Sequence, residues 1–252
     1  MLGRVRGILR SLAIYHGVPG RQRRARRLYQ HFLGPDDLGF DIGAHVGSRV
    51  RTWRRLGARV VAVEPQPDCL RVLRALFGRD SRVTIVPGAA GAQPGQAQLA
   101  LSSATPTVSS MAPGWIRSVA TERSFSRVRW DRTIDVPVHS LDALISEHGE
   151  PTFCKIDVEG FEVEVLAGLS RPLRGLSFEY LPAAHDQMRE AVRIIDGLGV
   201  DAGGYRYNYS PVETMRFLSE RWLTGEELVR LLDERVRPTG RSGDVYARLG
   251  MS

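Results

Sequence analysis

From residue 38 onward, short apolar runs rich in β-branched residues alternate with longer stretches whose apolar positions recur every three or four residues. The runs at 39–42, 59–63, 82–86, 96–101, 134–138, 152–156 and 175–180 predict strands. The stretches 48–56, 67–77, 141–148, 161–169 and 184–198 predict helices. Punctuation agrees: Gly57 closes the first helix, Pro67 opens the second, and Gly168 and Gly199 lie near later ends. Val60, Val61, Ala62 and Val63 show no polar alternation, as in strands covered on both faces. The alternation predicts an α/β fold, a mostly parallel sheet with helices on both faces. Such sheets hold ligands at the carboxyl ends of their strands, which here are Asp41, Glu64, Pro87-Gly88, Asp157 and Glu179.

Upstream the pattern changes. Leu2, Val5, Ile8, Leu9 and Leu12 make a helical stripe, His16 to Gly20 break it, and 21–32 resume a basic helical pattern. The expected organisation is a basic helical arm over 1–35 and a catalytic domain over 36–252 with an insertion around 102–131. Residues 1–35 hold eight arginines and no acid, against a whole-chain net charge of +7, so the body is close to neutral. The arm suits either a helix packed on the body with solvated arginines or a peripheral contact with an anionic membrane. It has few aromatics for stacking on bases, so no nucleic acid is expected.

Composition narrows the rest. The 252 residues suit one large domain with an appended segment. No apolar run approaches the ~18 residues that span a bilayer, and no secretory signal is recognisable. Cys69 and Cys154 are the only cysteines and lack a partnering spacing, so neither a disulfide framework nor a cysteine zinc site is expected, and a cytoplasmic location is. Lys155 is the only lysine among 35 basic residues.

The first strand exits into Asp41-Ile42-Gly43-Ala44-His45-Val46-Gly47. Glycines at such a turn let the backbone turn sharply and approach a ligand closely. The dinucleotide pattern G-x-G-x-x-G fails, because His45 stands where the second glycine belongs. Asp41 instead favours a cationic amino group and repels a pyrophosphate. The cofactor expected is therefore nucleoside-like, cationic and free of phosphate, which describes S-adenosylmethionine. Glu64, ending its strand 21 residues after Gly43, is placed to accept hydrogen bonds from ribose hydroxyls, with Pro65 stopping the strand.

With these residues in place the chain resembles the FkbM family of S-adenosylmethionine-dependent methyltransferases. The likeness rests on 41–47, on Val63-Glu64-Pro65, and above all on Lys155-Ile156-Asp157-Val158-Glu159-Gly160-Phe161-Glu162 with Val165, Leu166 and Gly168. It covers about 38–180, fades through 181–240 and returns in Gly243-Asp244-Val245-Tyr246, which is similar to a last sheet strand. The resemblance implies a Rossmann-like class I methyltransferase with a mostly parallel seven-stranded sheet, and O-methylation of a sugar, glycolipid or secondary metabolite. It also implies Ser109 and Ser110 near the cofactor, beside Asp41, Gly43, His45, Gly47, Glu64 and Pro65. His45 departs from the asparagine common in the family; both side chains hydrogen-bond.

For the reaction site, Lys155 and Asp157 stand two apart on one sheet face, with Asp157 at the strand end. Asp157 is expected to act as base, orienting acceptor or cation ligand, with Glu159 on the following loop and Glu179 at the next strand end. Asp157 and Glu179 together would suit Mg²⁺, an oxygen-seeking cation. Lys155 is expected to pair with Asp157 or Glu179 and keep them ionised, and His185 is the histidine candidate for a base. The insertion, with Trp115 and Trp130, reads as a lid or acceptor-binding segment. Tyr205, Tyr207 and Tyr209 read equally as a wall for a sugar face or as an edge strand. Competing functions are an RNA or protein methyltransferase using the arm, and a binding protein for an adenosyl ligand without turnover. A dehydrogenase is disfavoured by the failed glycine pattern.

Overall fold

Alternate side chains of the strands in the computed structural model face two different environments, and that division places the site. The structure describes residues 20–102, 109–112, 114, 128–212 and 214–250. The helical stripe of Leu2 to Leu12, Trp115 and most of the predicted insertion lie outside the described residues.

Along the chain run α1 (Arg21–Tyr29), β1 (Leu38–Ile42), α2 (Ser48–Arg54), β2 (Arg59–Glu64), α3 (Pro67–Phe77), β3 (Val83–Pro87), β4 (Ala89–Ala90), β5 (Gly95–Leu101) and β6 (Arg132–His139). There follow α4 (Leu141–His148), β7 (Phe153–Ile156), α5 (Glu162–Leu166), β8 (Gly175–Tyr180), α6 (His185–Gly199), β9 (Tyr205–Pro211), α7 (Gly225–Leu231) and β10 (Gly243–Leu249). The main sheet has seven strands in the order β3-β2-β1-β7-β8-β10-β9, all parallel except β10, which runs antiparallel to both neighbours. This is the Rossmann-like class I methyltransferase arrangement expected. Strand order reverses between β1 and β7, so a crevice opens beyond their carboxyl ends.

The membership of the sheet differs from the expectation. The runs at 96–101 and 134–138 fall in β5 and β6, which join β4 in a separate three-stranded sheet. Their places are taken by β9 and β10. Part of the reason is visible in the burial: β5 and β6 are mostly exposed, so their alternation marks a half-solvated antiparallel pair and not a central strand.

On one face of the main sheet Phe40, Ile42, Val61, Val63, Cys154, Ile156 and Phe178 pack under α5, α6 and α7 in a wholly apolar layer. Tyr205, Tyr207 and Tyr209 belong to this layer and are 2, 0 and 0% exposed. Their hydroxyls are spent on Leu173 O, Asp196 and Arg241 O, so they are core and not a sugar platform. On the other face Val60, Ala62, Phe153 and Tyr246 meet Leu28 and Tyr29 of α1 and Trp53 of α2. Residues 21–33 thus belong to the core of the body, with Arg23, Arg26 and Arg27 on the solvent side of α1. Among the described residues no helix is long and apolar enough to cross a membrane.

Candidate active site

The pleat brings Asp41, Lys155, Asp157, Glu179 and Asp244 to one face of the sheet. Asp41 pairs with Lys155 in register across β1 and β7, and Asp244 pairs with Glu179 across β10 and β8. Because β10 is antiparallel, its first residues arrive where the parallel strands end. All five residues line one cavity, together with Gly43, His45, Glu64, Pro65, Ser109 and Glu159.

The backbone of the crevice is drawn tight. Gly43 and Ala44 both donate to Val63 O (2.9 and 3.0 Å), and Asp157 N donates to Ile42 O (3.0 Å). At Gly43 φ is +84°, and a Cβ would stand 2.0 Å from Asp157 O, so this glycine is required by the approach of β1's exit to β7's. Gly47 plays another part than expected. It does not line the cavity; it precedes α2 with φ +77°, and a Cβ there would stand 2.4 Å from Phe77 Cε2. Its role is to let α2 and α3 close on each other.

At the cofactor end, Glu64 is 3% exposed and accepts from His45 N (2.7 Å) and Gln66 N (2.8 Å). Burial nonetheless pushes its carboxyl up to about 7, against the pull of those two N–H groups. Asp41 is 1% exposed, and its Oδ2 has no hydrogen-bond partner. Burial raises it to about 6 although Lys155 and Arg49 act the other way. A buried carboxylate oxygen with no partner is costly, and a cationic or hydroxyl-bearing ligand removes that cost. These residues therefore fit S-adenosylmethionine: an orphaned acceptor at the glycine turn and a second carboxylate at the ribose position, with Arg49 beside them.

At the reaction end, Lys155 is 1% exposed and its Nζ donates to Asp157 Oδ2 (2.8 Å) and Asp244 Oδ1 (3.2 Å). The ammonium is disfavoured by burial, but the two carboxylates more than offset this and hold it charged. The expected pairing with Asp157 is present; the partner on the far side is Asp244 and not Glu179. Burial works against ionisation of Asp157 too, yet Lys155 and then Arg49 keep its carboxyl below the usual range. Glu179 is pushed the opposite way, well above that range, by burial and by the negative charge of Glu159, Asp157, Glu162 and Asp244. Its Oε2 is buried and has no hydrogen-bond partner. Glu159 is raised as well, by burial and by Asp157. One carboxylate oxygen each of Asp157, Glu159 and Glu179 lie within 4.8 Å of one another.

The loop that carries Glu159 is fixed from two sides. Glu162 Oε1 accepts from Val158 N (3.0 Å) and Gly160 N (3.3 Å), and Ser110 Oγ donates to Glu159 O (2.7 Å). Glu159 itself holds φ +54°, a strained conformation for a residue with a side chain. Ser110 thus ties the insertion to this loop without lining the cavity, while Ser109 does line it. His185 is not brought to the site. Its ring meets Asp233 Oδ1 (2.8 Å) and the Tyr180 hydroxyl (3.3 Å) at the start of α6, and it does not border the cavity. Sequence reasoning missed Arg49 and Asp244 as site residues. The signal for Asp244 was its place at the start of a last strand, which only the antiparallel pairing with β8 turns into a site position.

The chain matches the Methyltransferase FkbM domain over residues 41–207. No curated protein matches it. Among solved structures it is similar to precorrin-6y C5,15-methyltransferase from Geobacter metallireducens GS-15 at 13% identity, TM-score 0.48, covering 91% of this chain and 87% of that one. It is also similar to a TehB-like SAM-dependent methyltransferase from Corynebacterium glutamicum at 10% identity, TM-score 0.47, covering 96% and 94%. Since the domain match takes in the glycine turn, Glu64 and the whole Lys155 to Glu162 block, the chain belongs to the FkbM family and is an S-adenosylmethionine-dependent methyltransferase.

Proposed function

We propose that this enzyme methylates a hydroxyl group of a small, sugar-like or secondary-metabolite acceptor. The observation that carries the reading is the split behaviour of the carboxylates around one buried ammonium. Asp157 is held ionised by Lys155, whereas Glu179 and Glu159 are pushed up toward neutrality. Groups whose environments drive their proton affinities apart divide acid–base roles between them.

S-adenosylmethionine, when bound, supplies the electrophilic methyl group. The protein's own work is to hold the acceptor hydroxyl and take its proton. Asp157, ionised and 35% exposed, accepts a hydrogen bond and fixes the direction of the hydroxyl. Its lowered proton affinity makes it a poor base. Glu179, once ionised, is the stronger base of the two, since its carboxyl is pushed up while that of Asp157 is held down. Lys155, tied between Asp157 and Asp244, acts as a fixed positive charge behind the site.

A second reading is that Asp157, Glu159 and Glu179 would hold Mg²⁺, which would supply Lewis-acid activation of the hydroxyl. What supports it is their mutual closeness together with the orphaned Oε2 of Glu179. Transfer of labelled methyl groups to a panel of sugars, glycolipids and hydroxylated metabolites, with and without chelator, tests both. A methoxyl product by NMR is expected; labelling confined to RNA, to protein or to amines would sink the hydroxyl assignment. Full activity after exhaustive chelation would remove the metal.

A further inference from the structure

The face that ends in carboxylates ends, at its other extremity, in arginines. Beyond the amino ends of β7 and β8 lies a second cavity of about 540 Å³, walled by Phe32, Thr152, Arg174, Arg206 and Arg248, with His31 at its edge. Arg206 and Arg248 are direct cross-strand partners in β9 and β10. Arg174 adjoins them, its carbonyl accepting from Leu249 N at 3.0 Å. Like charges directly opposite on antiparallel strands repel, and sheets ordinarily avoid the pairing. Among the described residues none of the three guanidinium groups makes a salt bridge; Asp196 feels the charge of Arg206 without pairing with it, and solvent screens the rest. Arg248 lies 4.2 Å over the Trp222 ring, and Arg206 donates only to the carbonyl of Tyr205. The neighbouring acid Asp196 already accepts from the Tyr207 hydroxyl, and Thr152 donates to Asp37. Residues 1–35 contain no acid that could supply a counter-charge.

We propose that this cavity binds a phosphate group, with Arg174, Arg206 and Arg248 as its ligands. A phosphate dianion brings two charges and three acceptor oxygens to three guanidinium forks, against one charge and two oxygens for a carboxylate. The aromatic stacking of Arg248 fixes one fork in advance, so less freedom is lost on binding. The site is distinct from the methyl-transfer cavity and shares no lining residue with it. Two sources offer this chemistry: a soluble phosphate ester, or a phosphomonoester headgroup on a membrane.

The test uses the full chain, wild type and carrying Arg174→Ala, Arg206→Ala and Arg248→Ala together, with inorganic pyrophosphate in calorimetry and phosphatidic acid vesicles in co-sedimentation. Unchanged S-adenosylmethionine binding by the triple variant verifies that it is folded, and a charge-preserving Arg→Lys triple variant serves if it is not. Saturable binding of pyrophosphate, weakened at least about tenfold in the variant, supports the site with a soluble ligand. Vesicle binding alone, lost in the variant, supports it with a membrane headgroup. Binding of neither probe by the wild type, or binding equal in wild type and variant, overturns it.

Discussion

The two ends of this sheet face are built from opposite charges by the same strand. On β10, Asp244 enters the methyl-transfer cavity and Arg248, four residues on, enters the basic one, with the buried ring of Tyr246 between them. The ends differ in burial more than in sign. At the acidic end the charges are withdrawn from water and depend on one another through Lys155, which is 1% exposed. At the basic end the arginines are exposed and solvated, so their repulsion is screened and tolerable. Buried charge must be balanced within the fold, whereas exposed charge is free to await a ligand.

Substitutions at the two ends should therefore behave differently. The largest effect falls on catalysis: Glu179→Gln lowers kcat by between about 10² and 10⁴ while leaving the S-adenosylmethionine Kd nearly unchanged. Steady-state rates with calorimetry on the same preparation read the split, and retained turnover would return the base to Asp157. Next comes stability. Lys155→Met leaves the buried Asp244 and the half-buried Asp157 without their cation and costs about 3–5 kcal/mol in denaturant unfolding. A loss below 1 kcal/mol, on the scale of a surface pair, would break the contrast.

A subtler test concerns pH. Asp41 has its folded value raised from 3.8 to about 6, so the folded state binds its proton more tightly than the unfolded chain does. That preference stabilises the protein at low pH and is lost as pH rises from about 4 to 6. Asp41→Asn should flatten this decline in the cofactor-free protein, by on the order of 2 kcal/mol across the window. Melting temperatures at several pH values measure it, and an unchanged slope would refute it. The smallest effect lies at the basic end. Arg206→Ala relieves the cross-strand repulsion and leaves stability unchanged or raised, within about 0.5 kcal/mol, with any gain vanishing at high salt.

Legibility followed the range of the interactions. The glycine turn, Glu64 and the Lys155 to Glu162 block were readable because their residues are close in sequence and end predictable strands. Even there Gly47 was assigned to the ligand when its neighbour is Phe77, since nothing local distinguishes a glycine that admits a cofactor from one that admits a helix. Asp244 and Arg49 escaped because their importance depends on register and burial. The tyrosines of β9 read equally as a substrate wall or an edge strand, and β9 is an edge strand of the sheet; their burial was not readable, because an alternating aromatic run looks the same whether its inner face meets a substrate or a helix. His185 was drawn toward the site by proximity in sequence to Glu179, but α6 begins there and carries it to Asp233. The three arginines of the basic cavity come from β8's approach, β9 and β10, and only antiparallel pairing assembles them.

The place of β10 between β8 and β9, both of which precede it in sequence, also orders events during synthesis. Until Gly243–Leu249 emerges, β8 presents an unpaired edge and Lys155 has only Asp157 as partner. A polypeptide released before this strand would have every residue of the cofactor turn and yet neither a closed sheet nor a balanced site. Both strands that flank β10 are thus made before it, so the sheet and the charge balance around Lys155 are completed in one step, when β10 inserts between them.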